Sequence, residues 1–184
     1  ANYSVFRKGV NDYIDTHPVD LYAPLRGTPS LRRKTAELIN REVLQELRLQ
    51  ISSDDVTVSL GTTGLLELLS RIFCNIEGAA LKPEQRDLIA LSERAKHLYS
   101  QKSVFSRAGD LEEAKKPKMI VIDSLDIKAG ELGGLLTEAS KNGTIVVFLD
   151  NGSGHKNISQ VYKLLKENKA YRANTVIITD ISRR

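Results

Sequence analysis

Three observations predict a three-layer α/β fold with a mostly parallel sheet and helices on both faces. Met119–Ile122 and Ile145–Leu149 are short, unbroken apolar runs, the form taken by strands buried on both sides. Helix-like segments alternate with such runs along most of the chain. Short links between them leave a central parallel sheet as the economical arrangement.

The elements follow in order. Residues 1–28 read as an irregular arm, because His17-Pro18 and Ala23-Pro24 favour extended backbone. Residues 29–184 read as one domain. Pro29 suits a first helical turn, and Ala36, Ile39, Val43, Leu44 and Leu47 recur at helical spacing after it. Val56-Thr57-Val58 predicts a short strand, followed by a helix over Thr62–Phe73. Residues 76–80 and Val104-Phe105 are weaker strand candidates, and Glu84–Tyr99 reads as one helix entered after Pro83. A helix over Glu131–Lys141 should stop at Asn142-Gly143. Ser159–Asn168 is the next helix and Thr175–Thr179 the last strand.

Composition narrows the function. Among 184 residues, 27 Lys+Arg against 23 Asp+Glu give a net charge of +4, with a pI near 9.1. That balance admits a small anionic ligand. The basic residues are scattered and lack interleaved aromatics, which argues against nucleic acid. Cys74 is the single cysteine, so an internal disulfide is excluded; beside Phe73 it reads as a small buried hydrophobe. No apolar run approaches the ~20 residues that span a bilayer, and no signal-peptide core opens the chain. A soluble, cytoplasmic protein is the expectation. A chain that begins at Ala1 rather than Met is expected of a processed protein or an excised fragment.

Ligands of parallel α/β sheets bind beyond the carboxyl ends of the strands, which directs attention to four segments: 60–64, 123–130, 150–155 and 180–183. Leu60-Gly61-Thr62-Thr63-Gly64 turns from strand into helix. Its free backbone N–H groups, small residues and two hydroxyls can cradle an anion, or Thr62 can simply cap the helix. It is neither a Walker A loop nor a G-x-G-x-x-G turn. Asp150 can accept a hydrogen bond from a ring nitrogen or a ribose hydroxyl, or cap the next turn. Asp180, Ser182 and Arg183 follow the last strand, where Arg183 could grip a phosphate or belong to a solvated basic tail. His17, His97 and His155 lie too far apart in sequence to suggest a metal site, and only His155 falls near a predicted site face. Neither a catalytic triad nor an acid/base carboxylate pair can be argued.

Taken together, five segments resemble the large domain of the fold-type-I pyridoxal-phosphate enzymes, the aminotransferase superfamily. "LYAPLRGTPSLRRKTAELI" (21–39) resembles the entry into that domain's first helix. "SSDDVTVSLGTTGLLELLSRIF" (52–73) resembles the strand and turn that cradle the cofactor phosphate. "DLEEAKKPKMIVIDS" (110–124) resembles the run into the next strand. "GTIVVFLDNG" (143–152) resembles the strand ending in the aspartate that pairs with the pyridine nitrogen. "TVIITDISRR" (175–184) resembles the strand before the family's Ser-x-Ser-Lys. The resemblance implies phosphate contacts from Gly61, Thr62 and Thr63, and a pyridinium partner in Asp150. It also implies a homodimer in which Tyr22, in the N-terminal arm, reaches a partner's phosphate. Ser182 and Arg183 would complete the cofactor site. The chain departs from the family where it matters most. Arg183 stands at the Schiff-base lysine position, and a guanidinium stays protonated and forms no imine. The Asn-Pro-Thr-Gly turn is absent from "LDIKAG", no stacking aromatic is evident in "LKPEQRD", and the small domain is missing. A non-catalytic binding or scaffold domain, or a fragment of an enzyme, is therefore expected in place of a working transaminase. Pyridoxal phosphate would bind without a covalent link.

A rival alignment resembles the S-adenosylmethionine-dependent methyltransferases, with Gly61, Gly64 and Asp110 around the cofactor. There Ala80 occupies the ribose-binding acidic position, and residues 21–39 find no counterpart. An interaction domain without any small ligand is the third alternative.

Overall fold

The computed structural model describes residues 26–59, 61–76, 83–99, 105, 108–112, 114, 116–150 and 155–179. At their centre stand five parallel strands: β1 (Ile89–Leu91), β2 (Gly109–Asp110), β3 (Met119–Asp123), β4 (Ile145–Asp150) and β5 (Thr175–Thr179). They lie in the order β2-β1-β3-β4-β5. Every pairing is parallel, with Ile120 opposite Val146 and Asp150 opposite Thr179.

Helices cover both faces, as expected. Alternate residues of the apolar runs point to opposite sides. Met119, Val121, Val147 and Leu149 pack with α2 (Gly61–Cys74) and α3 (Glu93–Tyr99) through Leu66, Ala95 and Tyr99. Ile120, Ile122, Val146 and Phe148 pack with α4 (Ala129–Asn142) and α5 (His155–Glu167) through Leu132, Leu136, Ile158 and Val161. All five residues of β3 and all six of β4 are buried, which explains their continuous apolar sequence. Helix α4 ends where Gly143 takes φ +68°, a left-handed turn that glycine enters at little cost.

The chain reaches this sheet through α1 (Pro29–Ile39), capped by Thr28, whose side chain accepts from the Leu31 N–H. A π-helical turn over Asn40–Leu44 follows. The Asn40 amide then clasps Ile51 with two bonds of 2.9 Å, one to its carbonyl and one from its N–H. That clasp fixes the start of a segment running to residue 59.

Three expectations need correction. Val56–Val58 does not join the sheet; it runs extended, and the Val58 N–H donates to the Arg26 carbonyl instead. Glu84–Tyr99 is not one helix: a 3₁₀ stretch (Pro83–Leu88), β1 and α3 share it. Ser92 divides the last two, with its carbonyl accepting from Lys96 and its N–H donating to Val121 of β3. Phe105 sits in a turn, and the outer strand forms at Gly109–Asp110. Most of the 76–80 candidate and residues 1–25 of the arm lie outside the described residues.

Candidate functional site

Because the strands are parallel, their carboxyl ends form one rim. Asp110, Ser92, Asp123, Asp150 and Thr179 stand at or just beyond the ends of the five strands. The strand order reverses between β1 and β3, where such sheets leave a crevice.

At that reversal a hydroxyl and carboxylate network closes the gap. Ser92 Oγ donates to Asp126 Oδ2 at 2.6 Å and accepts from the Asp123 N–H at 3.1 Å. Asp126 also accepts from the Arg94 N–H at 2.8 Å and faces the Arg94 guanidinium at 3.4 Å. Tyr99 reaches the same region from the end of α3. Burial pushes its phenol above the ordinary range, the Asp123 charge adds to the shift, and a hydrogen bond with the Thr62 side chain opposes it.

On the β5 side lies a cleft of about 840 Å³. One wall is the extended Val56–Ser59 segment, the other is β5 with Ile178 and Thr179, and Gly61 and Thr62 close one end. Gly61 takes φ +78°, and a Cβ placed on it or on Gly64 would meet nothing closer than Ser59 Oγ at 3.8 Å. The backbone here is therefore open to close approach. As first residues of α2, Thr62 and Thr63 have N–H groups with no carbonyl four residues back within the helix. The Gly61 N–H, by contrast, is used by the Ser59 carbonyl at 3.1 Å. This arrangement can hold an oxyanion by main-chain donors and the helix dipole.

Thr179 joins this cleft to Asp150. Its Oγ1 donates to Asp150 Oδ2 at 3.1 Å, and the aspartate is only 3% exposed. Gly61, Thr62 and Thr179 thus line one cavity, with Asp150 behind the threonine. Thr63 is half-buried in the same helical turn. Tyr22, Ser182 and Arg183 lie outside the described residues, as does Asp180. The cations of the cleft are already engaged: Lys166 Nζ donates to the Leu47 carbonyl at 2.9 Å, and Arg172 Nε to the Leu165 carbonyl at 2.7 Å.

Ser92, Tyr99 and Thr179 escaped the sequence reading, whereas Asp126 falls in the 123–130 segment that it singled out. The first two were hidden in the supposed long helix. Their signal was Ile89-Ala90-Leu91 followed by Ser92, an apolar run ending at a helix-capping residue. Cys74 is buried, with its thiol pushed up to about 11, so it is no ready nucleophile. Among the described residues no group of three or more His, Cys, Asp or Glu could hold a metal ion, and no helix is long and apolar enough to cross a membrane. Asp110 ends the edge strand opposite β5 and is ion-paired with Lys96 at 2.5 Å.

No family model matches the chain, and neither curated proteins nor solved structures provide a match.

Proposed function

We propose that this chain is a binding domain for a phosphorylated aromatic cofactor of the pyridoxal-phosphate type, holding it without a covalent bond. The observation that carries the reading is the single cleft that Gly61 and Thr62 share with Thr179, whose hydroxyl bonds buried Asp150. The open space before Gly61 fits a phosphate seated on the start of α2. Asp150 would hold a proton on the ring nitrogen, as a buried carboxylate does for a cationic partner. The cofactor supplies an aldehyde that condenses with amines and a ring that accepts electrons. The chain's own residues bind and orient it. Arg183 stands where the resemblance expects a lysine, and a guanidinium cannot form the imine. Binding without transamination follows.

The methyltransferase alternative draws less support. It needs Asp110 beside Gly61 and Gly64, but Asp110 belongs to the far edge strand and its carboxylate is taken by Lys96.

Thermal-shift titrations test the reading, with pyridoxal phosphate, S-adenosylmethionine and inorganic phosphate in parallel. Stabilisation by pyridoxal phosphate of about 2.7 kcal/mol at a hundredfold excess over Kd is the expected result. Arg183→Lys should then add an imine absorbance. Stabilisation by S-adenosylmethionine alone overturns the proposal in favour of the methyltransferase reading. No shift with any ligand overturns it in favour of a protein-interaction domain.

A further inference from the structure

Helix α2 carries more apolar surface than the fold uses. Its inner face buries Leu66, Ser70 and Cys74, with Leu65 and Leu69 packed beside them. On the opposite face Leu68 is 37% and Ile72 61% exposed, one helical turn apart. Gly64, one turn before Leu68, is exposed as well and has no side chain to hold a neighbouring helix away.

Two charges flank this stripe on one side. Glu67 and Arg71 are also one turn apart, yet they are not paired with each other. Among the described residues neither takes part in any ion pair. The pattern is self-complementary. When two copies of a helix pack antiparallel about a twofold axis, like flanks meet, and residues equally far on either side of the axis face each other. An axis passing between residues 69 and 70 brings Leu68 to within one helical rise, ~1.5 Å, of the level of the partner's Ile72. The same axis brings Glu67 equally near the level of the partner's Arg71, well within reach of these side chains, and symmetry makes both contacts twice.

From this we infer that the outer face of α2 is an interface with a second copy of the chain, formed by antiparallel packing of the two α2 helices. The interface differs from the N-terminal arm that the family resemblance implies, and it does not depend on the proposed cofactor site. A single helix pair is small beside the ~1,600 Å² of a standard interface, so a weak, reversible dimer is expected.

Charge exchange gives the test. Sedimentation equilibrium of the full chain across a micromolar concentration series should show a monomer–dimer equilibrium. Glu67→Arg alone and Arg71→Glu alone each create two like-charge contacts and should weaken the dimer by about tenfold or more. The double variant Glu67→Arg/Arg71→Glu restores opposite charges across the axis and should recover dimerisation to within about threefold of the parent. Ile72→Glu should leave a monomer, with an unchanged circular dichroism spectrum because the residue is exposed. A chain that stays monomeric throughout the series overturns the inference. So does a dimer whose strength ignores these four variants, because it must then form elsewhere.

Discussion

Thr179 Oγ1 donates to Asp150 Oδ2 at 3.1 Å, so the last residues of two neighbouring strands share one polar contact beside the cleft. The contact aims the carboxylate from a site where it is almost wholly buried. Asp150→Asn keeps the shape but removes the charge that a ring cation needs. The proposed function therefore expects pyridoxal-phosphate affinity to fall by about tenfold or more in this variant, the range for a hydrogen bond to a charged group. Thr179→Val should cost a smaller loss of affinity. Fluorescence or thermal-shift titration of the three proteins measures both, and equal affinities would remove Asp150 from the site.

Gly61 and Gly64 should respond in opposite ways to the same substitution. Gly61 sits at φ +78°, where a side chain strains the backbone, so Gly61→Ala should destabilise by about 1–2 kcal/mol. Gly64 lies inside α2 without a positive φ, and an added Cβ meets only Ser59 Oγ at 3.8 Å. Gly64→Ala should stabilise the fold by about 0.5–1 kcal/mol, through helix propensity. A methyl added at Gly61, which lines the cleft, stands over the proposed cradle, so phosphate-dependent stabilisation should shrink in Gly61→Ala and persist in Gly64→Ala. Urea unfolding with and without ligand separates the two effects.

The legible parts of the fold were those where local pattern and tertiary burial agree. β3 and β4 are apolar at every position because both sheet faces are covered, and the stop at Gly143 follows from its left-handed backbone. β1 was illegible for a physical reason: Ile89–Leu91 is only three residues long, shorter than a helical turn. The apolar residues of α3 continue at helical spacing beyond it. Val56–Val58 shows the converse failure. Its β-branched residues favour extended backbone, which it adopts, but pairing depends on neighbours that local propensity does not encode. For the candidate site, Asp150 could be picked out as a strand-end residue, and Gly61 and Thr62 by the tight turn into α2, although no sheet strand precedes them. Thr179, which links them through the cleft, could not, because its role depends on the register between β4 and β5.

The Asn40 clasp holds the far wall of the cleft. Its amide satisfies both the N–H and the carbonyl of Ile51, at 2.9 Å each, from the start of the π-helical turn. Asn40→Ala leaves two main-chain groups without these partners, at a cost of about 1–3 kcal/mol. The 49–59 segment lines the cleft, so its amides should exchange faster with solvent while those of β3 and β4 remain protected. Hydrogen exchange resolved by peptide gives the comparison. Uniform loss of protection would mean that the clasp supports the whole fold instead of this wall.

Cys74 makes stability depend on alkaline pH. Burial pushes its thiol from the ordinary 9.0 up to about 11, against a weaker opposing effect of the Lys118 charge. Between those values the unfolded chain has released the proton and the folded chain still holds it. The folded state then binds more protons, so stability is full below about pH 9 and declines as pH rises toward 11. Cys74→Ala removes this slope. The stability gap between parent and variant should be widest near neutrality, where the lost packing dominates, and should narrow steadily above pH 9. Denaturant titrations at several pH values measure the gap, and a constant gap would show that the folded and unfolded thiols titrate alike. Labelling with an aromatic disulfide reagent at mildly alkaline pH supplies a second readout. In the folded protein it should proceed only as fast as the α2 region opens, because the buried thiol offers almost no thiolate to the reagent.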